Sequence, residues 1–241
     1  MKKSDFFMIG IILILVMLFL PFPFLENLQK GYIFNPKFWV ISSFIKFGIL
    51  STIGEMIGLR ITKGVFNQAG FGIVPRAIVW GLLGIGIKMA FVIFAVGTPV
   101  LVEHYFHIDN AVASMKASDI FQAMDQGLGF SRFLTAFFIS AFMNLIFAPV
   151  FMTLHKITDT HIINNGGTLK GFFSPIQFHS IFPSLNWGVQ WNFVFKKTIP
   201  FFWIPAHTFT FMLPPEYRIA FAAMLGIVLG VILAVAVQKS K

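Results

Sequence analysis

Apolar positions in this chain come in long, nearly unbroken runs, not in the alternation of a half-buried strand or the narrow stripe of a surface helix. A helix needs about 20 mainly apolar residues to cross a hydrocarbon core of about 30 Å. Six runs approach that length: 6–25, entered by Lys2 and Lys3; 38–57; 74–100, loosened by Gly97 and Pro99; 133–154; 198–213, short and interrupted by Pro200 and Pro205; and 217–237. They predict an all-α integral membrane protein, a bundle of about six transmembrane helices. The first run has the charged-then-apolar order of a signal peptide. It is long, however, ends in Pro21 and Pro23, and lacks a small-residue cleavage site, so it reads as a retained helix. Residues 1–30 then form an extra N-terminal span and residues 31–241 the main multi-span domain. Between the fourth and fifth runs lie a polar stretch, 156–170, with Asn164-Asn165-Gly166-Gly167, and an aromatic segment, 171–195. The latter holds Trp187 and Trp191, is broken by Pro175 and Pro183, and reads as interfacial or re-entrant.

Composition sharpens this picture. Of 241 residues, 57% are hydrophobic and 11% charged, and Phe occurs 33 times. A soluble domain carries about 25% charged residues, so most of this chain is unsuited to water. The absence of cysteine excludes a disulfide framework and any thiolate ligand or nucleophile. The net charge is +9. The basic residues stand at the ends of the runs and form no cluster that would track a phosphate backbone. The expected partner is therefore the lipid bilayer, not nucleic acid. With six spans and the N-terminus inside, the cytoplasmic side holds Lys2, Lys3, Arg60, Lys63, Arg76, Lys156, Lys170, Lys196, Lys197, Lys239 and Lys241. The other side holds Lys30, Lys37, Lys116, Arg132 and Arg218. The excess on the first side predicts both termini in the cytoplasm.

Catalytic signatures are missing: no His-Glu-x-x-His, Gly-x-Ser-x-Gly or Walker loop occurs. The expectation is a non-enzyme without cofactor or metal. His104 and His107, beside Glu103 and Asp109, read as the polar start of a loop. His155 and His161 read as a helix end that meets water. Ionisable and polar residues inside the runs are more telling, because a central Lys costs about 2.5–3.5 kcal/mol on insertion scales. Lys46, Lys88, Asn144 and His207 fall at similar depth on four helices. Two readings stand: a shared cavity favouring anionic solutes, or lysines that point apart and snorkel or pair privately with backbone carbonyls. Glu55 and Arg76 fall at matching depth and predict an ion pair holding two helices in register. Arg60 is a competing partner, and a proton or substrate relay is the sharper alternative. Gly54 with Gly58, and Gly226 with Gly230, form small-residue pairs that read as packing within the bundle. Homo-oligomerisation is left open.

The same residues carry a resemblance. From Pro36 onward the chain resembles the Mpv-seventeen and peroxisomal-membrane-protein family of small multi-span membrane proteins. Pro36 leads into a first helix in which Gly54-Glu55 takes the place of the family's Gly-Asp. Pro75 precedes Trp80 at the family spacing, with Val74 and Gly81 replacing a Gly and a Tyr. Met143-Asn144, followed by Pro149, stands where the family has Asp-Gln and then Pro, so the acid is lost. Trp203, Pro205, His207, Thr210-Phe211, Pro214 and Arg218 follow the order of the last family motif, about one residue tighter. The family's closing Trp and Leu-Ser are absent. The departures, and an N-terminus without an Arg- and Ser-rich leader, point to a divergent bacterial branch in the cytoplasmic membrane. The resemblance implies a channel-like or solute-permeability role. Together with the intramembrane polar residues it predicts a channel or passive transporter for small solutes, anionic ones included. The alternative is a structural membrane protein that organises a complex. A continuous polar path through the bundle would favour transport, and a dry interior would favour scaffolding.

Overall fold

The computed structural model describes residues 2–19 and 23–239. Pro21 of the first run and Lys241 of the charge count lie outside the described residues. These residues form helices and turns without a strand. Four helices are long and apolar enough to cross a membrane: Pro36–Lys63, Ile73–Tyr105, Gly129–Ile146 and Pro215–Ile232.

The labelled elements are α1 (Lys3–Phe19), α2 (Trp39–Lys63), α3 (Ile73–Tyr105), α4 (Ala111–Lys116), α5 (Ile120–Asp125), α6 (Gly129–Ile146) and α7 (Ala148–Asn164). They continue with α8 (Leu169–Phe172), α9 (Phe178–Ser184), α10 (Ile204–Met212) and α11 (Pro215–Lys239). The sequence runs and the helices differ in three places. Run 6–25 corresponds, among the described residues, to the 17-residue α1 and a 3-10 turn at Pro23–Leu25. Run 133–154 is divided at Phe147, because Pro149 has no N–H to carry the helix ladder across the junction. Run 198–213 belongs to a longer helical stretch. It follows a single turn at Trp187–Val189 and winds as a 14-residue π-helix, Gln190–Trp203, into α10. The Ile204 amide reaches back five residues to the Ile199 carbonyl, and Pro205 sits in the first turn of α10, where its missing N–H costs nothing. Long π segments are rare. Here the stretch carries two prolines, Pro200 and Pro205, that cannot donate to an α-helical ladder.

α2 is the hub. It packs along α3 on one side and α11 on the other, while α6 packs along α10. Two glycines set how closely these helices approach. A Cβ on Gly84 would lie 2.4 Å from Cβ of Phe47, and one on Gly54 would lie 3.0 Å from Cα of Ile227. Gly54 and Gly230 face each other across the α2–α11 crossing. The small-residue pairs are thus used inside the chain. α1 lies across the bundle: Arg60 forks onto Asp5 at one of its ends, with contacts of 2.7 and 2.8 Å, and Gln29 donates to the Leu18 carbonyl at the other.

The bundle buries polar side chains beside an apolar core and exposes large apolar ones. Ser51, Thr52, Arg132, Thr135, Ser140, Asn144 and His207 are buried. On α3, by contrast, Leu82, Met89, Ile93, Val96 and Val100 are exposed. Their spacing of seven, four, three and four places them on one face of a helix. A contiguous apolar stripe of this kind marks a surface meant for something other than water.

Candidate functional site

A half-open cavity of about 750 Å³ lies among α2, α3, α6, α7, the π segment, α10 and α11. Its middle is aromatic and aliphatic, with Phe47, Phe91, Met143 and Phe147, and polar groups gather toward its ends.

One end is closed by a network on three helices. Glu55 of α2 accepts a bond from Nη1 of Arg76 on one carboxylate oxygen. The other oxygen accepts from Trp80 Nε1 at 2.9 Å and faces His155 Nε2 at 3.3 Å. Nη2 of Arg76 pairs with Asp159 of α7, whose second oxygen is 3.2 Å from Lys156 Nζ. Arg76 also donates from Nε to the Phe71 carbonyl at 2.7 Å and lies over the Phe71 ring. The His155 ring packs on Trp80 with centroids 4.3 Å apart. Two carboxylates thus face two permanent cations, and the network carries no net charge beyond what His155 contributes.

Toward the other end lie Asn144 and His207. His207 stacks on Trp203, with ring centroids 5.2 Å apart and planes 18° apart, and meets the edge of Phe91. Its Nδ1 is 3.4 Å from the Thr210 hydroxyl. Asn144 donates to the Ser140 carbonyl at 2.8 Å. Ser140 in turn donates to the Ile204 carbonyl at 2.7 Å, tying α6 to the junction where the π segment becomes α10. A carbonyl at such a register change must find a partner within the protein when no water surrounds the helix. Two buried donors, Nε2 of Gln190 and Nε1 of Trp203, have no hydrogen-bond partner among the described residues. An orphaned buried donor is uncommon; both nitrogens are closed in by neighbouring atoms, although their residues line the cavity.

Of the four residues read as sharing one path, the structure brings together two. Asn144 and His207 line the interior cavity, whereas Lys46 and Lys88 line a separate pocket of about 540 Å³. The physical cause is local. Lys46 Nζ donates to the Ile33 carbonyl at 2.7 Å and lies 4.5 Å from the centre of the Phe34 ring, which draws it to the turn before α2. Glu55 and Arg76 meet directly, and Arg60 is engaged by Asp5. Among the positions that carry the family resemblance, Gly54, Glu55, Trp80, Asn144, Trp203 and His207 line the cavity. Pro75, Pro149, Pro205, Phe211, Pro214 and Arg218 do not.

Several participants were not legible as such in the sequence. His155 and His161 read as meeting water. His161 is instead buried, with Nε2 3.1 Å from the Phe172 carbonyl, and His155 belongs to the Glu55 network. The spacing of His155 and Asp159, four residues apart on one helix, is the signal that both face the same neighbour. Among the described residues no group of three His, Cys, Asp or Glu side chains could hold a metal ion.

Comparison of the chain with family models, curated proteins and solved structures gives no match.

Proposed function

We propose that the chain is a multi-pass membrane protein whose interior cavity carries small solutes across the bilayer, as a channel or passive transporter. The supporting observation is the cavity itself: about 750 Å³ among the helices, lined by polar side chains such as Ser51, Asn144, Gln190 and His207 as well as aromatic ones. A mainly apolar space with a few polar side chains on its wall suits a small neutral solute that carries a hydroxyl or carbonyl group. In this reading six segments cross: the four long helices, α1, and the π segment joined to α10. In this reading the Arg76 end and both termini face the cytoplasm, which the excess of Lys and Arg on that side supports.

The solute carries no set charge in this proposal. The preference for anions rested on Lys46 and Lys88, which stand outside the cavity, and the charges of the Glu55 network cancel. Kinship with the Mpv-seventeen family belongs to the same proposal, supported by the six motif positions that line one cavity.

Solute flux into proteoliposomes tests it. Purified protein should admit small neutral solutes faster than empty liposomes do. Ser51→Phe, which fills the cavity from α2, should reduce that flux while thermal unfolding shows a folded protein. Folded wild-type protein that passes no solute, charged or neutral, contradicts transport and leaves the scaffold reading.

A further inference from the structure

The second pocket, of about 540 Å³, lies between the turn at residues 33–36, α2, α3 and the start of α11. It differs from the interior cavity in charge and in what it opens onto. Lys46 is buried, and its ammonium already holds one carbonyl and one aromatic face, which leaves donor capacity unused. Lys88, from α3, makes no hydrogen bond or ion pair among the described residues although it is half-buried. Both lysines line this one pocket. Glu216 also lines the pocket, but it is exposed and pairs with neither lysine. Two like charges held together in a partly apolar site need a shared counter-anion.

The wall of the pocket states what else that anion must carry. Met89, Val92 and Ile93 line it and are each at least half exposed, on the outward apolar face of α3. Trp39 and Asn35 stand at the start of α2, where a membrane helix meets the headgroup layer. A ligand that satisfies both parts has an anionic head between the lysines and an apolar tail along α3. We propose that this side pocket binds an anionic phospholipid, with its phosphate between Lys46 and Lys88 and an acyl chain along Met89, Val92 and Ile93. The inference rests on the membrane placement proposed above but not on transport.

The test uses full-length protein, delipidated in an uncharged detergent, with thermal unfolding as the readout. Phosphatidylglycerol should raise Tm by roughly 4 °C near saturation, and phosphatidylcholine should leave it unchanged. Lys88→Gln, and Lys46→Gln with Lys88→Gln, should lose the response, while Lys116→Gln keeps it. Native mass spectrometry should show phosphatidylglycerol adducts on wild type that the double variant lacks. Equal shifts from inorganic phosphate or from sodium oleate would overturn the phospholipid assignment, the first in favour of a soluble anion and the second in favour of any anionic amphiphile. Equal response to the two phospholipids, or an unaltered response in the double variant, also overturns it. Protein that stays soluble without detergent would remove the membrane placement as well, which separates that failure from loss of the site alone.

Discussion

The two ends of the bundle anchor their cations in different ways. At the Arg76 end the guanidinium faces two carboxylates, Glu55 and Asp159, from two other helices. At the opposite end Arg132 is fully buried and its hydrogen bonds all go to backbone carbonyls. It donates to the Ser114 and Ala117 carbonyls at 2.9 and 2.7 Å, with the Ser118 and Met212 carbonyls at 3.4 Å. Arg218 does the same for the end of α10, donating to the Leu213 and Phe211 carbonyls at 2.9 and 3.2 Å. Helix C-termini leave carbonyls without partners and carry partial negative charge, so an arginine completes them. One end is therefore held by charge on charge across helices, the other by charge on helix ends and loops. The difference matters for what remains when the cation is removed.

Arg76→Met should be the most damaging change. It leaves Glu55 and Asp159 largely buried without their principal cation, a loss of about 3–5 kcal/mol for a broken buried pair. Thermal unfolding in detergent reads it, and Arg76→Lys should recover part of the loss because the charge returns without the fork. Arg132→Met should cost less, about 2–3 kcal/mol, because neutral carbonyls are left behind in place of charges. Equal losses at both sites would break the comparison. The smallest effect belongs to Asp119, which begins α5 by accepting from the Gln122 amide at 3.0 Å and the Ser118 hydroxyl at 2.9 Å. The backbone N–H of Gln122, then the Ser118 hydroxyl, hold its carboxyl below the usual range. A depressed folded pKa means its contribution is whole above the ordinary aspartate value of about 3.9 and fades as pH falls through the folded value. Asp119→Asn should thus lower Tm slightly at neutral pH, and the gap to wild type should close below about pH 4.

How much of this could be read from the chain differs between fold and site. Helical spans were legible because an apolar run of sufficient length has few other uses, and α2 and α3 follow their runs closely. The division at Phe147 and the π register of 190–203 were less so. Pro149, Pro200 and Pro205 announce missing donors but not how the backbone rearranges around them. At the site, matched depth brought Glu55 to Arg76, since a carboxylate and a guanidinium in apolar surroundings have few other partners. Matched depth failed for Lys46, because depth says nothing of direction around the helix axis. The Ile33 carbonyl and the Phe34 ring, outside the run, decide where that side chain goes. Gln190 carried no signal of its own, because its place on the cavity wall depends on the π register.

The absence of cysteine from the chain allows the most direct test of the route through the bundle. Single cysteines at Ser51, on the cavity wall, and at Val96, on the exposed face of α3, are reacted with a small charged thiol reagent in proteoliposomes, and solute flux is measured before and after. Modification at position 51 should cut flux, and a permeating solute should slow the reaction, while position 96 should stay unreactive with flux unchanged. Full flux after complete modification at position 51, or flux lost through position 96, would contradict a pathway through the interior cavity.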